Sequence, residues 1–271
     1  MITRARTILY CHQDPDLLTL DHWLERILKA HPKSIDLGLD RVAHVARLMG
    51  FEQSGPGITL GAPSVVVGGT NGKGSTCAML ESILLQAGFR TATYTSPHLL
   101  HFNERLRIRG EPVDDAALME AFGRVEAVRG ETPLTYFEFT TLAILDIIRR
   151  ADIDVAILEI GLGGRLDAVN IVEADCAVLV SVDLDHQEFL GDTRELIGWE
   201  KAHIARPGRP FICADPRPPE TVRRWRGPLA RMYGVLVPTS ISRAIVSSGA
   251  GPGGGSVAMR LRTRRCVGSI S

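Results

Sequence analysis

Ser64-Val65-Val66-Val67-Gly68-Gly69-Thr70-Asn71-Gly72-Lys73-Gly74-Ser75-Thr76 joins a β-branched run, a glycine-rich turn and the start of an apolar periodicity. The run from Ser64 to Gly68, reached through the glycines and prolines of residues 54–63, reads as a buried strand. Leu80, Ile83, Leu84 and Ala87 recur at helical spacing, so a helix is expected to open near Ser75. Between them, glycines let the backbone curl and aim several N–H groups at one anion, with the helix N-terminus adding a favourable dipole. Gly69, Thr70, Asn71, Gly72, Lys73, Gly74 and Ser75 are therefore a candidate phosphate-binding loop. Lys73 supplies the mobile cation, and a hydroxyl of Ser75 or Thr76 is within reach of an accompanying Mg²⁺. The spacing departs from G-x-x-x-x-G-K-[ST], because Gly74 separates Lys73 from the hydroxyl. A tight glycine turn with no ligand is the alternative.

Working outward, helical spacing covers residues 17–28 and 39–49, with His31-Pro32 breaking the two apart. After the loop, strands near 90–94, 155–160, 177–182 and 210–213 alternate with helices at about 114–128, 136–150 and 194–205. Strands alternating with helices of this length predict an α/β fold with a mostly parallel sheet covered on both faces, and ligands outside the carboxyl ends of the strands.

Lys plus Arg and Asp plus Glu each number 31 among 271 residues, so net charge gives no reason to expect a nucleic-acid or membrane partner. Apolar residues make up 45% of the chain, enough for a packed core. Five scattered cysteines without a C-x-x-C pair fit a reducing cytoplasm. No run reaches the roughly 18 to 20 apolar residues that would span a bilayer.

The other candidates sit at strand ends. Glu159 closes an apolar strand, where a carboxylate is costly unless it is solvated, paired or holding a cation. It is read as a metal ligand, with a buried salt bridge as the alternative. Ser96 and His186 also follow strand ends, although Mg²⁺ prefers oxygen to imidazole. Gly161, Gly163 and Gly164 allow close backbone approach, and Arg165 and Asp167 offer a carboxylate clamp and an acceptor, or merely an ion pair anchoring a loop. Phe137 and Phe139 are equally compatible with a plain core. Lys201 beside Glu200 reads, on its own, as a solvated charge.

The variant loop Gly-Thr-Asn-Gly-Lys-Gly-Ser resembles that of the folylpolyglutamate synthase and dihydrofolate synthase family, relatives of the Mur ligases. Further stretches match in order: His31-Pro32-Lys33 with Ile35-Asp36-Leu37-Gly38-Leu39-Asp40-Arg41; Thr95-Ser96-Pro97-His98-Leu99 with Phe102-Asn103-Glu104-Arg105; Phe137-Glu138-Phe139-Thr140; Glu159 through Asn170; Asp185-His186 with Leu190-Gly191-Asp192-Thr193; and Glu200-Lys201-Ala202. The resemblance runs from about Leu17 to Pro219. His203 stands where the family usually has glycine, and Gln187-Glu188-Phe189 replaces a more typical stretch.

The resemblance implies a Mur-ligase-like central domain using ATP and Mg²⁺, with Ser96, Glu159 and His186 as metal ligands. It places Phe137, Glu138, Phe139, Thr140, Leu166, Asp167 and Ala168 against a pterin substrate, and makes Lys73, Lys201 and His186 catalytic, with Lys201 carbamylated. The implied reaction joins L-glutamate to dihydropteroate or folate through an acyl phosphate, in a cytoplasmic monomer. An ATP-binding regulatory or interaction protein, or a Mur-type ligase acting on a cell-wall precursor, are the rivals.

Residues 1–220 are expected to form the ATP-binding domain and 221–271 a basic tail. From Thr221 onward there is no Asp or Glu, while nine arginines and a glycine-serine run, 247–256, follow. Family-like sequence fades near Val235, as a shifted reading frame would produce. A frameshift or truncation is preferred to a natural basic linker or a short form that pairs with a partner. Either way the C-terminal glutamate-ligase domain that the family implies is expected to be missing and the chain inactive as a ligase.

Overall fold

The computed structural model describes residues 19–225 and 231–233. Helices α1 (Leu20–Lys29) and α2 (Asp40–Leu48) form a preface, followed by a two-residue hairpin, β1 (Gln53–Ser54) and β2 (Gly57–Ile58). Then come β3 (Ser64–Gly68), α3 (Lys73–Gln86), β4 (Thr91–Tyr94), β5 (Leu106–Ile108), β6 (Glu111–Pro112), α4 (Asp115–Arg129), α5 (Tyr136–Arg150) and β7 (Val155–Glu159). The chain continues through β8 (Cys176–Leu179), α6 (Gln187–Leu190), α7 (Arg194–Ala202), β9 (Pro210–Cys213), α8 (Glu220–Arg223) and β10 (Arg231–Tyr233).

Eight strands form one sheet in the order β10-β9-β8-β3-β7-β4-β5-β6. From β10 to β4 the neighbours run parallel; β5 and β6 turn back antiparallel at one edge. The phosphate-loop strand β3 is central and buried along its whole length. Burying a Val side chain is worth about 1.5–3 kcal/mol, so Val65, Val66 and Val67 anchor the loop that follows them. Val65 and Val67 face α3, where they pack with Cys77, Leu80 and Leu84; Val66 faces the larger core under α4, α5 and the N-terminal preface. There Trp23 of α1 lies 5.9 Å from Phe122 of α4, centroid to centroid, and Arg26 pairs with Glu126 at 2.7 Å.

Three differences from the sequence reading affect the site. Helix α3 begins at Lys73, two residues early, because Gly72 adopts a left-handed φ of 82° that turns the chain straight into the helix. Strand β8 stops at Leu179 although apolar sequence continues to Val182. Past that point the partners change: Val180 N–H donates to the Gly68 carbonyl (2.8 Å), and the Ser181 carbonyl accepts from Thr70 N–H (2.9 Å). Helix α7 ends at Ala202 because the His203 ring bonds back to the Trp199 carbonyl (2.7 Å).

Ordered structure also passes the expected boundary at residue 220. Val222 of α8 is buried against α7, and β10 extends the sheet beside β9. The reading of a shifted frame or basic tail falls mostly on residues 234–271, which lie outside the described residues. Among the described residues no helix is long and apolar enough to cross a membrane, and Cys77, Cys176 and Cys213 are free and buried.

Candidate active site

The carboxyl ends of β3, β4, β7 and β8 bring the chemistry together. The phosphate loop is held from below by the segment after β8. Asn71 N–H donates to Ser181 Oγ (3.0 Å), that hydroxyl donates to the Asn71 carbonyl (3.0 Å), and Thr70 Oγ1 bonds both the carbonyl and the N–H of Asp183 (3.1 and 3.0 Å). Ser181 and Asp183 were not legible as site residues, since nothing in their spacing links them to a loop more than a hundred positions earlier. Lys73 donates from Nζ to the carbonyls of Gly69 (3.1 Å) and Thr70 (3.3 Å), curled over its own loop. Thr76 Oγ1 donates to the Gly72 carbonyl (2.8 Å).

Glu159 stands over this loop. A methyl added at Gly74 would lie 3.7 Å from its Oε2, so only the glycine backbone separates the carboxylate from the start of α3. Glu159 is 5% exposed, and Ser96 N–H donates to its Oε2 at 3.1 Å. Burial raises its pKa; the Ser96 N–H and the charge of Lys73 oppose that without cancelling it. Ser96 and Glu159 are thus neighbours. His186 is placed differently: it sits in a left-handed backbone conformation (φ 45°) at the start of α6, exposed, with Nε2 3.7 Å from Asp185 Oδ2. Among the described residues no group of three or more His, Cys, Asp or Glu side chains converges to hold a metal.

The glycine turn after β7 is knotted around Asp167. Its carboxylate accepts from the N–H groups of Leu162 (2.8 Å) and Val169 (2.9 Å), and burial pushes its pKa up to about 6. Gly164 packs on α7: a methyl there would lie 2.7 Å from the Glu200 carbonyl oxygen and 3.0 Å from Lys201 Cα. Arg165 forks onto Glu200 (2.9 and 3.2 Å) and lies over the Trp199 ring (5.0 Å). Arg165 thus forms the loop-anchoring ion pair. Lys201 is not a solvated charge: it is 3% exposed, and burial, reinforced by Lys73 and opposed by Asp185 and Asp167, pushes its pKa down to about 8.

The expected pterin-contacting residues divide. Phe137 stacks on Tyr94 (centroids 6.5 Å apart) and covers Gly161, where a methyl would meet its Cζ at 2.6 Å. Leu166 is half-buried beside it in sequence to Asp167, and Ala168 is buried. Glu138 instead accepts from Thr135 N–H (2.8 Å) as the helix cap of α5 and pairs with Arg41 (3.0 Å). Phe139 is buried against Phe122, and Thr140 is buried with its hydroxyl donated to the Tyr136 carbonyl. Those three are engaged in the cap, the core and the helix backbone, and Phe137 is the one that covers the glycine turn.

The Mur ligase middle domain model matches residues 67–210, more than half of the chain. The chain belongs to the Mur ligase middle-domain family. Within that family it is similar to the dihydrofolate synthase/folylpolyglutamate synthase of Escherichia coli, 46% identical over 219 residues that cover 80% of this chain and 50% of the relative. The Haemophilus influenzae counterpart is 48% identical, over 75% of this chain and 45% of the relative. Among solved structures, Escherichia coli FolC in complex with DHPP and ADP superposes with a TM-score of 0.75 at 43% identity, covering 81% of this chain and 52% of that one. The Yersinia pestis bifunctional folylpolyglutamate synthase/dihydrofolate synthase complexed with AMPPNP and Mn gives 0.74 at 43% identity, covering 82% and 53%. The chain spans about half the length of the curated relatives it matches.

Proposed function

We propose that this chain carries the nucleotide-activating part of an ATP-dependent carboxylate–amine ligase that joins L-glutamate to dihydropteroate, folate or both. The observation that carries the reading is the apposition of the buried Glu159 carboxylate and the phosphate loop across Gly74. A buried carboxylate with one N–H partner and a raised pKa suits a divalent cation, and the hydroxyls of Ser96, Ser75 and Thr76 are proposed as further oxygen ligands of the kind Mg²⁺ prefers. The bound ion would neutralise charge between the nucleotide phosphates and the attacking carboxylate.

Residue roles follow from the chemistry. A substrate carboxylate oxygen attacks the γ-phosphate and ADP departs; the glutamate amine then attacks the acyl carbon, phosphate departs and the amine loses its proton. Both partners in the first step are anions. The loop N–H groups and Lys73 hold the phosphates in line, and Phe137 with the Asp167 turn positions the pterin-bearing acid. The protein is proposed to work in the cytoplasm, as a monomer, on small molecules and without a nucleic-acid or membrane partner. Trapping with hydroxylamine tests the reading: chain supplied with ATP, Mg²⁺ and dihydropteroate should yield the dihydropteroyl hydroxamate. ATP binding that neither responds to dihydropteroate nor produces hydroxamate would point to a nucleotide-binding regulatory protein instead.

Lys201 is proposed to carry a carbamate, formed when its neutral amine adds to CO₂ and releases a proton. An amine held near 8 is neutral in roughly one molecule in ten at pH 7, about two hundredfold more often than an ordinary lysine near 10.4. Its burial then favours stability at high pH, and that contribution is lost as pH falls through 8 and the amine charges. Protein equilibrated with ¹³C-bicarbonate should show a carbamate carbon resonance that Lys201→Arg removes; an unlabelled Lys201 at pH 8 would refute the modification.

A further inference from the structure

Eight charged residues are buried among the described residues, and their partners sort them. Glu81, Glu138, Asp146 and Asp215 each pair with arginine. Glu159, Asp167, Lys201 and Arg105 have no ion-pair partner among the described residues. The first three of these belong to the candidate site already described. Burying an unpaired charge is costly, so it persists where something else compensates it.

Arg105 is 8% exposed. Its Nε donates to His98 Nδ1 (2.9 Å), and its guanidinium lies 5.2 Å from the Phe102 ring centroid and 5.8 Å from that of Tyr136. Glu104, next in sequence, is unavailable to it. That carboxylate is taken up by the N–H groups of His101, Leu99 and Leu100, which hold its pKa down to about 2. The Arg105 carbonyl accepts from Thr95 N–H (2.9 Å), which ties the residue to the end of β4 immediately before Ser96. Its charge also reaches Tyr94, the ring on which Phe137 stacks.

We infer that Arg105, oriented by His98 and flanked by the Phe102 and Tyr136 rings, is a binding residue for the carboxylate of the aromatic acid substrate. The inference rests on the ligase reading and adds a recognition element to it. A guanidinium with free N–H groups between aromatic faces recognises a planar acid by a charge-assisted hydrogen bond, and it holds the carboxylate beside the strand end that carries Ser96 and Glu159.

The test compares dihydropteroate with its carboxamide by titration calorimetry, using the whole chain and the variants Arg105→Lys and Arg105→Met, with Mg-ADP affinity as the control for folding. Unsubstituted protein should prefer the acid by about tenfold or more, the size expected of a charged hydrogen bond. Arg105→Met should bind acid and amide alike while keeping Mg-ADP affinity, and Arg105→Lys should retain part of the preference. An undiminished acid preference in Arg105→Met refutes the assignment and leaves the ligase reading standing. Failure of the unsubstituted protein to bind either compound overturns both. Should Arg105→Met lose Mg-ADP affinity, Arg105→Lys decides: a preference equal to that of unsubstituted protein counts against a guanidinium-specific contact, and a reduced one supports it.

Discussion

Lys73→Ala should abolish ATP-dependent turnover in any form of this protein that contains the complete catalytic unit, with a loss of at least about 10²–10³ in rate. Among the described residues the Lys73 side chain makes only local hydrogen bonds. It is half-buried, and its hydrogen-bonding contacts are the carbonyls of Gly69 and Thr70 on its own loop. Those carbonyls compete poorly with a polyphosphate, so the ammonium is free to swing onto an arriving anion. It then neutralises charge that the loop N–H groups alone leave in excess. In the chain as it stands, calorimetry should show ATP affinity weaker by about tenfold or more, with the thermal midpoint unchanged. Unaltered affinity and turnover would remove the loop from the mechanism.

Asp146→Ala should produce the largest loss of stability, about 3 kcal/mol, equivalent to roughly 6–12 °C in the thermal midpoint of a domain this size. Asp146 is fully buried in α5 and receives three arginines: Arg124 from α4 at 2.5 Å, Arg149 at 2.6 Å and Arg150 at 3.0 Å. Arg149 carries the connection further, donating to the carbonyls of Met49 (2.8 Å) and Gly50 (3.0 Å) and lying over the Phe51 ring. One carboxylate therefore joins α4, α5 and the end of the N-terminal preface. Burial disfavours its charge, but the three guanidinium hydrogen bonds outweigh that and hold the pKa below the ordinary aspartate value. A depressed carboxylate stabilises the fold above the unfolded-state pKa, near 3.9, and the contribution disappears as pH falls through the lower folded value. Acid unfolding should accordingly begin at higher pH in Asp146→Ala and in Asp146→Asn. Matching midpoints for the variant and unsubstituted protein at pH 7 would show that the arginines find equivalent partners in water.

Local signals in the chain were enough for the central unit. β-Branched residues from Ser64 to Val67, glycines at 69, 72 and 74, and helical spacing after Lys73 are short-range features, and the structure places β3, the turn and α3 within two residues of where those features end. The candidates Glu159 and Ser96 were picked out by similarly local features. A carboxylate closing an apolar run has few inexpensive environments, and Ser96 lies two residues past a short strand.

What the tertiary structure decided depends on pairings between distant parts of the chain. Residues 180–182 have the composition of a strand, yet Val180 bonds the end of β3, Ser181 bonds the phosphate loop and Val182 bonds Asp215 and Arg194, because β3 and β8 are neighbours in a sheet whose order no local pattern reveals. Glu138, Phe139 and Thr140 sit in one motif with Phe137. Only packing of α5 against Arg41, Phe122 and the sheet determines which of the four side chains reaches the glycine turn. Lys201 reads as an ordinary solvated charge, and nothing local marks Arg105 as buried, since a sequence carries no record of solvent access. Their burial follows from Gly164 packing on α7 and from the Phe102 and Tyr136 rings closing around a guanidinium. Charge is a property of the residue; the cost of keeping it is set by the neighbours that folding assembles.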